Sequence, residues 1–296
     1  MNSGIAHEPV GFIGLGNMGG PMAKRLVDWP GGLVVCDMRQ EATQPFREAG
    51  AAVADSSKDV AATARVISIT VLDDAQVRDV IAGPDGILQT AGPGTVIAVH
   101  STISDETAVE LGAECARQGV EFVDAPVSGG APGAAKGALA VMVGGSATAY
   151  EAVREPFGCW ANLVIHAGDV GSGTRMKLAR NLLHFVSFTA AAEAQRLAEA
   201  AGLDITALGK VVRHSDAVTG GAGSIMLRNT TSEIAPDDFW YPIMTHVRNL
   251  GEKDLSLALG LGDRLGIDLP LARIALDRLG TGLGVGTNAA TGQEHT

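Results

Sequence analysis

Val10-Gly11-Phe12-Ile13-Gly14-Leu15-Gly16-Asn17-Met18-Gly19 is the stretch on which the fold turns. Residues 10 to 15 form a short apolar run, as a parallel strand buried on both faces requires. The run breaks into the glycine pattern GxGxxG, and residues 21–29 then read as a helix. Strand, glycine turn and helix in that order make a dinucleotide-binding unit. Gly14 permits the tight turn, Gly16 lets a pyrophosphate approach the backbone, and Gly19 lets helix and strand pack closely. The helix start offers N–H groups and a partial positive charge to phosphates. Gly14, Leu15, Gly16, Asn17, Met18 and Gly19 are therefore expected to bind a cofactor.

Outward from this unit, apolar runs predict strands at 33–37, 66–72, 96–100, 121–124, 139–144 and 162–166. Helix-like stretches lie at 44–49, 57–62, 75–81 and 107–118. The alternation predicts a doubly wound α/β sheet, a Rossmann domain over 8–168. After Gly168 no convincing strand follows. Residues 173–201 contain no Pro and no internal Gly and stop at Gly202, a good residue to end a helix. More helices are expected at 205–213, 245–265 and 270–279. The second domain, 169–285, is thus expected to be all-α with a long interdomain helix, and 286–296 to be a disordered polar tail.

On the long helix Leu178, Leu182, Phe185, Val186, Phe188 and Leu197 cover more than one stripe. A helix apolar on most sides must be buried on most sides. Another subunit is the easiest cover, so a homodimer or homotetramer is expected.

The chain has 296 residues, long for one core and comfortable for two domains. Hydrophobic residues make up 46% and charged residues 19%, ordinary for a soluble enzyme. The net charge of −11, with no basic stripe, argues against a nucleic-acid partner, and nothing suggests an anionic membrane. A small anionic substrate would then need positive groups inside its site. Cys36, Cys115 and Cys159 are far apart and odd in number, with no CxxC. No metal spacing or disulfide framework emerges, which fits a reducing compartment. Met1 to Pro9 lacks a signal pattern, and no apolar run approaches the roughly 18–20 residues of a membrane span. A cytoplasmic location is expected.

Asp37 closes the second strand, 18 residues past Gly19. A carboxylate there accepts from ribose hydroxyls and repels a 2′-phosphate, which favours NAD over NADP. Arg39, two residues on, is placed to hold a 2′-phosphate instead.

Four ordered motifs carry a resemblance. Phe12 to Gly19, the loop Asp124-Ala125-Pro126-Val127-Ser128-Gly129-Gly130, the segment Gly171-Ser172-Gly173 with Lys177 and Asn181, and Lys253-Asp254-Leu255 together resemble the β-hydroxyacid dehydrogenases. That family includes 3-hydroxyisobutyrate dehydrogenase, and the likeness spans residues 10 to 280. It implies that Lys177 is the general acid/base at the substrate hydroxyl. Asn181, one turn on, shares its face and would hold the substrate or orient Lys177. A free lysine has a pKa near ~10.4, so Lys177 would need lowering by ~2–3 units to serve near neutral pH. Ser128, Gly129 and Gly130 would grip a carboxylate in a small-residue turn. Lys253 and Thr102 would lie beside the nicotinamide, and Val71 and Leu72 would pass over the adenosine side.

Some positions depart from the family's pattern. Arg180 stands where relatives have a first Asn, and Asp73 where many have Pro. Ile243-Met244-Thr245-His246 replaces a Pro-Gly-Phe run. His246, Asn249 and Lys253 share one helical face, so His246 is a candidate for the substrate tail. His184 is a weaker one. The resemblance implies NAD-dependent oxidation of a small 3-hydroxy acid of the 3-hydroxyisobutyrate type. The alternatives are an NADPH-dependent glyoxylate or succinic semialdehyde reductase, and an imine reductase-like enzyme, against which Lys177 argues. A non-catalytic NAD-binding module would have no need of Lys177, Asn181 and the Ser128 loop together.

Overall fold

The computed structural model describes residues 7–286. β1 (Val10–Ile13) leads through α1 (Gly19–Lys24) to β2 (Leu33–Cys36), α2 (Gln40–Glu48), β3 (Ala52–Val53) and α3 (Ser57–Ala61). Then come β4 (Val66–Ile69), α4 (Asp74–Ala82), β5 (Val96–Val99), α5 (Asp105–Ala116) and β6 (Glu121–Asp124). β7 (Val127–Ser128), α6 (Gly130–Lys136), β8 (Leu139–Gly144), α7 (Ala147–Gly158) and β9 (Ala161–Gly168) complete the strand-bearing part. Helices alone follow: α8 (Ser172–Ala200), α9 (Ile205–Thr219), α10 (Trp240–Leu265) and α11 (Pro270–Gly282).

The sheet runs β3-β2-β1-β4-β5-β6-β8-β7, with β9 on β8. Strands β3 through β6 pair in parallel, so the doubly wound expectation holds. Strand order reverses between β1 and its neighbours β2 and β4, which opens a crevice beyond the carboxyl end of β1. Alternate residues of each strand feed two cores. Val10 and Phe12 join one with Met22, Val35, Phe157 and Trp160, and Ile13 joins the other with Ile67, Ile69 and Ile97.

Four elements escape the sequence reading, the two-residue edge strand β3 among them. α7 has Ala149, Val153 and Phe157 buried at i, i+4 and i+8, and Ser146 accepts from Ala149 N at 3.0 Å as its cap. Both signals are local and were legible. α6 reads as a turn because it holds two glycines and Pro132, yet proline in the first turn costs no internal hydrogen bond. β7 corrects the reading of Ser128 as part of a turn. Ser128 pairs antiparallel with Ala140, and the turn is at Gly129, at φ +132°. The ladders also end sooner than the apolar runs, so Thr70 to Leu72 and His100 lie beyond their strands.

The chain divides into two compact units between Arg180 and Asn181, whereas the last strand ends at Gly168. The second unit has a small core of Ile234, Met244, Leu283 and Val285. In α8 no residue from 178 to 192 is buried, and Leu182, Phe185 and Phe188 are 69%, 59% and 58% exposed. α9 buries no residue at all. Of the expected tail 286–296, all but Gly286 lies outside the described residues. Among the described residues no helix is long and apolar enough to cross a membrane, and no cluster of His, Cys, Asp or Glu could hold a metal.

Candidate active site

The loop after β1 is built by close approach. Gly14 sits at φ +88°, and a Cβ there would overlap the Thr70 carbonyl oxygen. A Cβ on Gly19 would overlap Gly14 O, so strand and helix meet at van der Waals distance only because both residues are glycine. Thr70 Oγ1 donates to Gly14 O at 3.0 Å and ties the loop to the end of β4. A Cβ on Gly16 would meet nothing within 4 Å, so its backbone lies open to an approaching diphosphate. Asn17 and Met18 complete the turn into α1. This cradle fits the nucleotide that the pattern calls for.

Asp37 holds the loop from the side. Its Oδ2 accepts from Leu15 N at 2.7 Å, and its Oδ1 accepts from Arg39 N at 2.8 Å and Arg39 Nε at 3.2 Å. Burial pushes this carboxyl up. The N–H groups of Arg39 and Leu15 and the Arg39 guanidinium outweigh it, so the group stays below the usual carboxylate range and is charged at neutral pH. Both residues expected to choose the cofactor are thus one ion pair.

Beyond β4 the backbone is clasped. Ser101 Oγ donates to Val71 O at 2.6 Å and accepts from Val71 N at 3.0 Å. Leu72 N donates to Gln76 Oε1 at 3.1 Å, and the Leu72 side chain is exposed. Asp73 caps α4 by accepting from Gln76 N at 2.9 Å. Thr102 follows, exposed. The sequence reading chose Thr102 of the pair and missed what Ser101 does.

The second group of residues surrounds the start of α8. Lys177 is buried, and its Nζ donates to Val127 O at 2.6 Å. Burial first, and then the nearby Arg180 charge, hold its ammonium below the ordinary lysine value. The expected direction of the shift is therefore present. Asp124, fully buried at the end of β6, accepts from Gly171 N at 2.7 Å and Thr174 N at 2.6 Å. Burial pushes its carboxyl up, against the pull of those N–H groups. Between Asp124 and Val127, Ala125 O accepts from His100 Nδ1 at 2.8 Å. A carbonyl only accepts, so the proton is on Nδ1, and Nε2 accepts from Ser68 Oγ at 3.0 Å. His100 is walled by Phe12, Phe157 and Trp160, and burial pushes it down to about 4, so it stays neutral. Residues 124–130 thus run past Lys177 and into the Ser128-Gly129-Gly130 segment. Nothing in the spacing of Asp124 and His100 flagged these two roles.

Asn181 follows Lys177 by one turn of α8. His184 packs its ring on Phe185 and Phe188. In the second unit His246, Asn249 and Lys253 lie exposed on α10, with Lys253 Nζ 3.1 Å from Asp254 Oδ1. His246 and Lys253 keep the common face that the spacing predicted.

The family model described as the NAD binding domain of 6-phosphogluconate dehydrogenase matches residues 9–168. One described as the NAD-binding domain of NADP-dependent 3-hydroxyisobutyrate dehydrogenase matches 171–291. The chain is 63% identical over 276 residues, 93% of either protein, to an uncharacterized oxidoreductase of Mycobacterium tuberculosis. It is 40% identical over 207 residues, 70% of this chain and 62% of the relative, to mitochondrial 3-hydroxyisobutyrate dehydrogenase of Rattus norvegicus. A crystal structure of an oxidoreductase from Mycobacterium avium 104 is similar with a TM-score of 0.90 at 58% identity, covering 94% of this chain and 99% of that one.

Proposed function

The chain belongs to the β-hydroxyacid dehydrogenase family, and from that premise we propose that it interconverts a small 3-hydroxy acid of the 3-hydroxyisobutyrate type and its semialdehyde. The observation that carries this reading is the buried Lys177, with Nζ 2.6 Å from Val127 O and its proton affinity reduced.

In the oxidation, the neutral Lys177 amine takes the hydroxyl proton as the substrate carbon gives up hydride. Val127 O aims the nitrogen by accepting one of its hydrogens. In the reverse direction the ammonium returns the proton. Bound nicotinamide supplies the two-electron acceptor or donor. Gly14 to Gly19 and Asp37 hold its dinucleotide, with Arg39, Val71, Leu72 and Thr102 around them and Lys253 as a further contact. Ser128, Gly129 and Gly130 hold the substrate carboxylate, Asn181 holds the substrate or orients Lys177, and His246 meets the substrate tail. Asp37, charged and holding Arg39, supports NAD over NADP. The competing reading, an NADPH-dependent semialdehyde reductase, draws on the NADP-dependent enzyme for which the model over 171–291 is described.

Absorbance at 340 nm tests both. NADH appearing with one 3-hydroxy acid of a panel is the expected result. Signal only from NADPH with a semialdehyde would transfer the assignment to the reductase, and no turnover in either direction with cofactor bound would end both.

We also propose a homodimer or larger assembly of this chain. The exposed apolar side chains of α8 and α9 support it, because covering them on two copies removes on the order of 1,000 Å² from water, near what a stable interface needs. Sedimentation equilibrium at micromolar concentration should give at least twice the monomer mass. A clean monomer would refute the proposal.

A further inference from the structure

A helix usually finds its cap next door, in a Ser, Thr, Asp or Asn at the residue before the first turn. α8 starts at Ser172, preceded by Gly171, which has no side chain to offer. Asp124, reaching in from β6, accepts instead from Gly171 N just before the helix and from Thr174 N in its first turn, 47 and 50 residues downstream of it, while Ser172 N donates to Asp169 O. Burying a carboxylate is costly unless it is fully hydrogen-bonded, so a surface cap would be a cheaper way to start a helix. What the buried cap adds is a fixed position. Two short hydrogen bonds to Asp124, at 2.7 and 2.6 Å, hold the start of α8 against β6. The backbones meet directly there. A Cβ on Gly173 would overlap Asp124 O and Met142 O, and one on Gly144 would overlap Asp124 Oδ1.

Lys177 lies three positions after Thr174, and Val127 lies three positions after Asp124. Asp124 grips Thr174 N, and Lys177 Nζ grips Val127 O. The four residues therefore close a frame, two corners on the catalytic helix and two on the segment leading into Ser128-Gly129-Gly130. The His100 ring fastens that segment at Ala125 O.

We propose that Asp124 is a positioning residue: it sets the height of Lys177 over the substrate segment by anchoring the first turn of α8. This rests on the reading of Lys177 as the acid/base. Asp124 is fully buried, and both of its carboxyl oxygens are taken by backbone N–H groups. Its effect on the reaction passes through Lys177.

A double-mutant cycle tests it. Asp124→Asn leaves one acceptor but turns an amide donor toward the other N–H. In the wild-type background it should lower kcat about 10–100-fold, the cost of displacing a reacting group by about 1 Å, and change KM and the cofactor Kd less than about threefold. In the Lys177→Ala background the same substitution should change residual turnover by less than about threefold, because the group it positions is gone. Equal losses in both backgrounds would make Asp124 merely structural and overturn the proposal, as would an unchanged kcat in Asp124→Asn. Near-normal turnover of Lys177→Ala alone would instead sink the acid/base reading. If Asp124→Asn does not melt cooperatively, Asp124→Ser, with one acceptor and no amide donor, carries the cycle. Failure of both to fold would mark Asp124 as a folding residue and overturn the proposal.

Discussion

Replacing Lys177 with Ala should cut turnover by about 10²–10⁴-fold while cofactor binding survives, a loss of roughly 3–5 kcal/mol of transition-state stabilisation. On the proposed mechanism the Lys177 amine exchanges the proton at the substrate hydroxyl, and Val127 O holds it at 2.6 Å. The nucleotide cradle from Gly14 to Asp37 lies on β1, α1 and β2, so fluorescence titration of the variant with NADH should give a nearly unchanged Kd. The pH dependence has a definite sign. Oxidation needs the neutral amine, so kcat should rise with pH through an apparent pKa below the ordinary lysine value, because burial and Arg180 favour the uncharged form. That rise should vanish in Lys177→Ala. Lys177→Arg should be as inactive, since a guanidinium does not deprotonate in this range. Turnover within tenfold of wild type in Lys177→Ala would remove the mechanism.

Asp37→Ala should shift cofactor preference, measured as the ratio of kcat/KM with NAD to that with NADP, by about 10–100-fold toward NADP, roughly 1.4–2.7 kcal/mol. Two effects add. The substitution deletes the charged acceptor expected to meet the ribose hydroxyls and repel a 2′-phosphate. It also releases the Arg39 guanidinium, which Asp37 now holds through Nε at 3.2 Å. Arg39→Ala should move the ratio the other way. Loop order will suffer in Asp37→Ala, because Leu15 N loses its partner, and both cofactors should then bind somewhat more weakly. An unchanged ratio would show that neither member of the pair decides the cofactor.

Much of this molecule is written locally. The apolar runs at β1, β2, β4, β5, β6 and β8 each lie in one short window, and a strand buried on two faces can hardly be built otherwise. The glycines of the phosphate loop are legible because Gly14 and Gly19 must touch each other and Thr70 across a turn, where a Cβ cannot fit. α8 was legible from composition and from its stop at Gly202. α7 lies outside the sequence reading although its cap and its i, i+4, i+8 face are local. α6 was missed because its residues are poor helix formers that the surrounding fold nonetheless holds.

By itself, then, the sequence determined the wound parallel sheet, the glycine cradle, the Lys177–Asn181 spacing and the helical second half, because each is a pattern within one element or one turn. Only the tertiary structure decided what those residues touch. Asp124 reaches α8 across 47 and 50 residues, Ser101 reaches Val71 across 30, and His100 reaches Ala125 across 25. Such partners depend on which strands lie side by side and where each ladder ends. No local spacing encodes that, because strand order is chosen by the burial of the whole sheet. The same packing turned Asp37 and Arg39 from rival determinants into one ion pair, and surrounded a lysine that any helix would expose.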